Sequence, residues 1–285
     1  MSVVEKPFEI VIKPRSSFAV NWQELWQYRE LLYFFAWKEV KVRYKQAVLG
    51  VVWTLLQPLA MMAVFIILLN RGLGVSTGEI PPPLYYLSGL IIWNLFNHAV
   101  TNAAGSMVSN ANIIKKIYFP RLVIPISSVL VSSFDFLISL ILFFVLILYY
   151  QISGNIDISW LLLIPTVLIA YFITAITAFS LGTFLSAINV KYRDVRYALP
   201  FFVQSLFFIT PVMYDGQVIQ SEWIVNALQW NPLYWAIEMV RQAILGNLIW
   251  AQSSDIWWIG LVLMLMFMIA IYVFRKTEAY FADIV

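Results

Sequence analysis

Six long apolar runs constrain this chain more than any other feature of its sequence: 48–69, 84–108, 123–150, 160–188, 198–214 and 256–274. A helix rises about 1.5 Å per residue and the hydrocarbon core of a bilayer is roughly 30 Å thick, so runs approaching 20 residues have the length of a crossing. Backbone inside lipid must satisfy its own hydrogen bonds, which such runs do as helices. The sequence predicts an all-α integral membrane fold with six transmembrane helices in one membrane domain, 48–285, preceded by a cytoplasmic tail and an amphipathic interface helix within 1–47. The fifth run is short and is bounded by Pro200 and Pro211.

Composition excludes the main alternatives. Hydrophobic residues make up 62% of the 285 and charged ones only 12%, against roughly a quarter charged in soluble domains. Cys is absent and His98 is the single histidine, so disulfide frameworks, Cys/His metal centres and histidine-dependent nucleophilic triads lack their residues. The position of the charge carries more information than its sum of +3. Only two of the 18 Lys and Arg, Arg71 and Arg241, fall on the side that also holds Glu79, Asp157, Asp215, Glu222, Glu238 and Asp255. The other segments are basic, and by the positive-inside rule both termini are expected in the cytoplasm. The apolar patch 31–37, bracketed by Arg29, Glu30, Lys38 and Glu39, is too short and too charged at its flanks for a cleavable signal, so the first 47 residues are expected to be mature protein.

Several stretches are neither span nor simple loop. Asn21 with Glu24 has the capping-box spacing, and 22–44 carries Leu25, Trp26, Tyr33, Phe34, Trp37 and Val40 among charges such as Arg29, Glu30, Lys41 and Arg43. This pattern predicts a helix lying in the cytoplasmic interface, either as an anchor alone or as an anchor whose polar face also receives a partner. Between the fifth and sixth runs, 215–255 holds two modest apolar stretches broken at Asn231-Pro232. They are expected either to dip into the outer leaflet as re-entrant helices or to lie flat on the outer surface.

Asn94, Asn97, His98, Thr101 and Asn102 recur at i, i+3 and i+4 and so form one polar stripe on the second span, serving helix-to-helix hydrogen bonds or lining a path. Asp135, flanked by Ser132, Ser133 and Ser139, is the one acid inside a span and sits near mid-membrane. Aromatics crowd both boundaries as interfacial belts, with a surplus outside that includes Tyr214, Trp223 and Trp230. Some of these are expected to offer flat faces to sugar rings.

No phosphate loop, dinucleotide fingerprint or kinase-type metal motif occurs, so nucleotide hydrolysis is expected from a partner in trans. The loop 109–121 is the leading docking candidate: a short amphipathic helix ended by Pro120, with Asn112, Ile113, Lys115, Lys116, Tyr118, Phe119 and Arg121 as coupling residues. The loop 189–197 is basic and suits lipid phosphates as well as a protein.

An ordered set of motifs then resembles one family. Tyr28-Arg-Glu-Leu-Leu, Trp37-Lys-Glu-Val-Lys-Val-Arg-Tyr-Lys-Gln-Ala-Val-Leu-Gly, Trp53, Gln57-Pro58-Leu59, Ile117-Tyr-Phe-Pro-Arg, Asn189-Val-Lys-Tyr-Arg-Asp-Val, Thr210-Pro-Val-Met-Tyr and Asn231-Pro232 are similar to the motifs of the membrane subunit of bacterial polysaccharide ABC exporters of the second permease type. That resemblance implies a homodimeric permease in the bacterial inner membrane, bound to two cytoplasmic ABC ATPase subunits that use ATP and Mg. This chain itself would hold no cofactor and no nucleic acid. It implies a lipid-linked polysaccharide cargo of O-antigen, capsule or teichoic-acid type, a partner-binding helix with Trp26, Arg29, Glu30, Trp37, Lys41 and Arg43, and an outer gate after Tyr214. Asn94, Asn97, Asp135, Tyr214, Trp223 and Trp230 are the candidates for the path and gate. A permease for a small lipid or drug, or a non-transport membrane enzyme, are the competing readings.

Overall fold

The computed structural model describes residues 22–45, 50–154, 156–192, 194–216, 221–247 and 255–278. Asn21 of the expected capping box, the first residues of the first run from Val48, and Arg193 lie outside them. Every regular element among the described residues is helical: α1 (Trp22–Gln27), α2 (Arg29–Lys45), α3 (Val52–Phe65), which continues as a π-helical turn over Ile66–Gly72, α4 (Pro82–Ser109), α5 (Ala111–Ile114), α6 (Val123–Ile152), α7 (Trp160–Lys191), α8 (Val195–Ile209), α9 (Glu222–Gln229), α10 (Pro232–Ile244) and α11 (Asp255–Glu278).

Among the described residues, four helices are both long and apolar enough to cross a membrane: Val52–Gly72, Val123–Ile152, Trp160–Lys191 and Trp257–Glu278. The second and fifth runs differ from these for separate reasons. At 28 residues α4 has ample length, but its polar stripe makes it far less apolar. α8 has 15 residues, about 22 Å at 1.5 Å per residue, because Thr210 turns to extended backbone ahead of Pro211, where proline restricts the preceding residue. The run expected to reach 214 therefore stops at Ile209.

α4 is the centre of the bundle and packs against α3, α6, α7, α8 and α10. Pro82 stands in its first turn, where a missing N–H leaves nothing unsatisfied. Leu84, Tyr86, Leu87, Ala99, Val100, Ala103, Ala104 and Met107 are fully buried. The seam with α7 depends on small residues: a Cβ on Gly182 would stand 2.7 Å from the Ala103 Cβ, and Asn189 donates to the Ala104 carbonyl at 2.9 Å. Without a hydrophobic driving force between helices in lipid, such close backbone approach and interhelical hydrogen bonding hold the pair. The hydroxyls of Thr166, Thr174 and Thr177 bond carbonyls one turn back and so enter the apolar helix satisfied.

A second apolar cluster sits at the other end of α4. Phe35 of α2 is 1% exposed and packs with Met107, Ile114, Phe119, Leu122, Val123 and Phe274, its ring 5.7 Å from that of Phe119. The expected single helix over 22–44 is two helices with a break at Tyr28, and α2 does more than rest on the end of the bundle. It touches the loop leading into α6 through Phe35 against Phe119, and α6 itself through Tyr44, whose ring lies 5.9 Å from that of Phe134. Its C-terminal half therefore follows α6 inward.

Candidate functional site: a polar groove, a basic knuckle and an arginine-pinned corner

The N-terminal half of α6 supplies Asp135, 6% exposed. A carboxylate so placed needs a cation and donors, and two other helices, α2 and α4, provide them. Arg43, from the last turn of α2, forms an ion pair and hydrogen bond with it. Tyr44 donates its hydroxyl to the same carboxylate and also contacts the Thr54 hydroxyl of α3 at 3.1 Å. His98 Nδ1 of α4 lies 3.7 Å from Oδ2, the oxygen that Arg43 also approaches, while Tyr44 takes Oδ1. Burial first, and then the hydrogen bond to Asp135, push the Tyr44 phenol up to about 12, so it stays a proton donor at any physiological pH. One turn back on α2, burial raises the Glu39 carboxyl, against the lowering effect of Arg43 and Lys38.

These residues line one end of a cleft of about 480 Å³ whose wall is the α4 stripe: Asn94, Asn97, His98, Thr101 and Asn102 all face it, opposite Trp53, Gln57 and Ser139. The stripe predicted by spacing is thus a single lining surface. Part of it also bonds across helices, Asn102 donating to the Ser132 hydroxyl at 3.5 Å. A further cleft of about 520 Å³ opens between α3, α4 and α8 and shares Gln57, Asn94, Asn97 and Thr101 with the first.

The loop before α6 is a knuckle held at both ends. Only Ala111–Ile114 is helical, shorter than the expected helix reaching Pro120, because Pro120 disfavours helical backbone at Phe119. Ile114, Phe119 and Pro120 are buried, Ile113 and Arg121 are half-buried, and Asn112, Lys115, Lys116, Ile117 and Tyr118 are exposed between the anchors. Arg121 donates to the Glu278 carbonyl at the end of α11. The knuckle therefore presents two lysines and a tyrosine on a base joined to α2 and α11 through the cluster around Phe35. On α2 and the preceding α1, Trp26, Arg29, Glu30, Trp37 and Lys41 are exposed, and Arg29 lies 5.7 Å over the Trp26 ring.

The opposite end of the bundle is organised by Arg241 of α10, which sequence reading counted only as an outer-side charge. It is 2% exposed, donates to the carbonyls of Pro211 at 3.0 Å and Val212 at 2.7 Å, and lies 3.7 Å over the Tyr85 ring of α4. The signal available in the sequence was a cation inside a helix whose other positions are mostly apolar. Asn231 caps α10 by accepting from the Leu233 N–H at 3.0 Å, and its amide donates to the Thr210 hydroxyl at 3.0 Å; Asn231-Pro232 is therefore a helix start tied to the end of α8. The Tyr214 hydroxyl donates to the Phe208 and Ile209 carbonyls at 3.0 and 3.2 Å, satisfying acceptors left at the α8 C-terminus. Trp223 and Trp230 stand apart from the groove, 73% and 61% exposed, with Trp230 packed 6.0 Å from Trp258. Within the 215–255 stretch, α10 is largely buried in the bundle while α9 buries only Leu228.

With these positions in hand, the profile of the ABC-2 type transporter family matches residues 30–245. The chain belongs to this family. Among its relatives, the O-antigen export system permease protein RfbA of Klebsiella pneumoniae is 29% identical over 259 residues, covering 90% of this chain and 95% of that protein. The Myxococcus xanthus protein of the same name is 33% identical over 201 residues, 70% of this chain and 74% of its own length. The polysialic acid transport protein KpsM of Escherichia coli is 22% identical over 251 residues, 85% and 91% of the two chains. The ABC-2 profile takes in α2, the α4 stripe, the knuckle, Asp135 and Arg241 together.

Proposed function

We propose that this ABC-2 permease is the membrane subunit of an ATP-driven exporter that carries a polysaccharide of the O-antigen kind, borne on a lipid, across the bacterial inner membrane. The observation that carries the reading is coverage. Permeases named for O-antigen export match 90% of the chain and nearly the whole of their own length, so the likeness includes both ends of the bundle and not a single motif. A polar groove on an otherwise apolar bundle suits a hydroxyl-rich cargo better than the small lipid or drug of the competing reading.

The finer architecture is part of the same proposal. Six helices cross the membrane, α4 and α8 joining the four that are both long and apolar enough, with both termini cytoplasmic. α9 and α10 form the re-entrant pair at the outer end, and Arg241, Tyr214 and Asn231 hold its corner. Two copies of the chain close the path, since α3 buries only Pro58 and Phe65 and α8 only Leu199 and Val203, leaving one side of the groove to be completed. Two ATPase subunits dock on the knuckle around Lys115 and Lys116 and on the exposed face of α1 and α2, using ATP and Mg that this chain does not hold.

Deleting the coding sequence and restoring it on a plasmid tests the proposal. The deleted cells are expected to make polymer and retain it inside, and restoration returns it to the surface. Unchanged surface polymer in the deleted cells would refute the reading.

A further inference from the structure

Two basic side chains from different helices converge on one oxygen of Asp135. Arg43 of α2 pairs with Oδ2, and His98 Nδ1 of α4 stands 3.7 Å from the same atom. The freedom of the partners differs. The Arg43 side chain, at the end of α2, is 36% exposed, while that of Asp135, inside α6, is 8% exposed. When the pair opens, Arg43 is therefore the member that leaves, and a buried carboxylate left without a cation is costly.

Each member of the pair has a second partner within reach. Glu39 precedes Arg43 by one turn on α2, the i, i+4 order with the acid first that favours an ion pair on a helix. It is half-buried and makes no hydrogen bond among the described residues, and Arg43 already draws its carboxyl downward against the effect of burial. The His98 side chain is 33% exposed and lines the cleft. An imidazole ordinarily titrates near pH 6.5, so a proton from solvent can replace the charge that Arg43 takes away. The titratable and charged side chains that line the cleft with His98 are Arg43 and Tyr44 from α2 and Asp135 from α6. α3 contributes Trp53, Thr54 and Gln57, which carry no charge, and α7, α8 and α10, which also pack on α4, place none of their described residues there.

We propose that the C-terminal end of α2 is a partner-exchange latch: closed, Arg43 pairs with Asp135; open, Arg43 turns to Glu39 while protonated His98 holds Asp135. Tyr44 donates to Oδ1 in both arrangements. No charge is stranded in either, so the tie between α2 and α6 is one that breaks and re-forms, as a two-state coupling element must. The proposal rests on the reading that the ATPase docks on α1 and α2. Nucleotide-driven movement of that face draws Arg43 away, and opening takes up a proton.

His98 is the only histidine in the chain, so its protonation is directly readable. The full-length permease, isotope-labelled at the imidazole nitrogens, is placed in nanodiscs and its nitrogen resonances are recorded at about pH 7.5, roughly one unit above the ordinary imidazole midpoint. Spectra are taken of the permease alone and of its complex with the unlabelled ATPase trapped with ATP and vanadate. A carboxylate at this distance that has lost its other cation strengthens proton binding about tenfold. Trapping is therefore expected to raise the protonated share about fivefold. Arg43→Met in the permease alone is expected to raise it likewise, and Asp135→Asn to abolish both rises. Glu39→Gln should cut the protonated share of the trapped complex about twofold, the scale of one helix ion pair. A trapped complex whose imidazole signal does not move would overturn the latch and leave the docking reading standing, and so would an Arg43→Met permease with an unmoved signal. If Arg43→Met fails to assemble, the trapped complex of the unaltered chain carries the test. A permease that forms no complex with the ATPase would refute the docking reading, and the Arg43→Met spectrum would then still decide the exchange of partners.

Discussion

Replacing Arg43 by Met removes the cation from a carboxylate that is 6% exposed. Losing one partner of a buried ion pair typically costs about 3–5 kcal/mol, mainly because the remaining charge is stranded. Two features reduce that here: the Arg43 side chain is itself 36% exposed, and Tyr44 still donates to Asp135. A loss of about 2 kcal/mol, a factor of roughly 30 in the folded-to-unfolded ratio, is therefore expected. Asp135→Leu removes the buried charge along with the pair and should cost less, about 1 kcal/mol. The double variant should cost about the same as Asp135→Leu alone, giving a coupling energy of about 2 kcal/mol, well above the few tenths seen for independent sites. Equilibrium unfolding of the full chain in mixed detergent micelles, followed by tryptophan fluorescence, measures all four corners of the cycle. If the double variant loses the sum of the two single losses, Arg43 and Asp135 do not act as a pair and the link from α2 to α6 is refuted.

Lys115→Glu with Lys116→Glu should lower transport-coupled ATPase activity of the assembled exporter about tenfold or more while insertion and folding are unchanged, because both side chains are exposed on the knuckle; unaltered coupling would exclude the knuckle as the docking element. Gly182→Val forces a Cβ to 2.7 Å from that of Ala103, and overpacking of that kind should lower stability by about 1–3 kcal/mol in the same unfolding assay. Arg241→Met leaves the buried Pro211 and Val212 carbonyls without their donor, so it should destabilise by about 1–3 kcal/mol, with Arg241→Lys recovering part of the loss. The Tyr44 phenol is held neutral up to about 12, against 10.0 for an unperturbed tyrosine; the folded state keeps a proton that the unfolded chain releases, so stability is complete below pH 10 and falls as pH rises toward 12. Tyr44→Phe should make that alkaline decline shallower.

What was legible in the sequence follows from the range over which each signal acts. The α4 stripe depends on residue periodicity alone and appears in the structure as read: Asn94, Asn97, His98, Thr101 and Asn102 all line one cleft. Of the six apolar runs, four appear among the described residues as helices long and apolar enough to cross a membrane. Elements governed by local backbone chemistry were read less well. The knuckle is helical for only four residues, and α8 ends before the Thr210-Pro211 step rather than at Tyr214, since proline restricts the residue before it more than apolarity favours continuing. Long-range pairings left no local trace. Arg43 and Asp135 are 92 residues apart and were assigned to different roles, docking and path, although a lone acid in a span implies a cation somewhere. Arg241 was read through its side of the membrane, and its burial against Tyr85 and two carbonyls emerges only when α8, α4 and α10 come together. The family resemblance supplied the function, because composition alone excluded chemistry without naming a cargo.

The most direct measurement of the central claim is polymer movement by the purified exporter. The permease and its partner ATPase are reconstituted in vesicles with the lipid-linked polymer of the producing strain, and delivery of polymer to the far leaflet is followed after ATP is added. The account predicts ATP-dependent delivery that requires both proteins and stops when either is omitted. Delivery by this chain alone without ATP, or ATP hydrolysis by the assembled complex with no polymer moved, would contradict it.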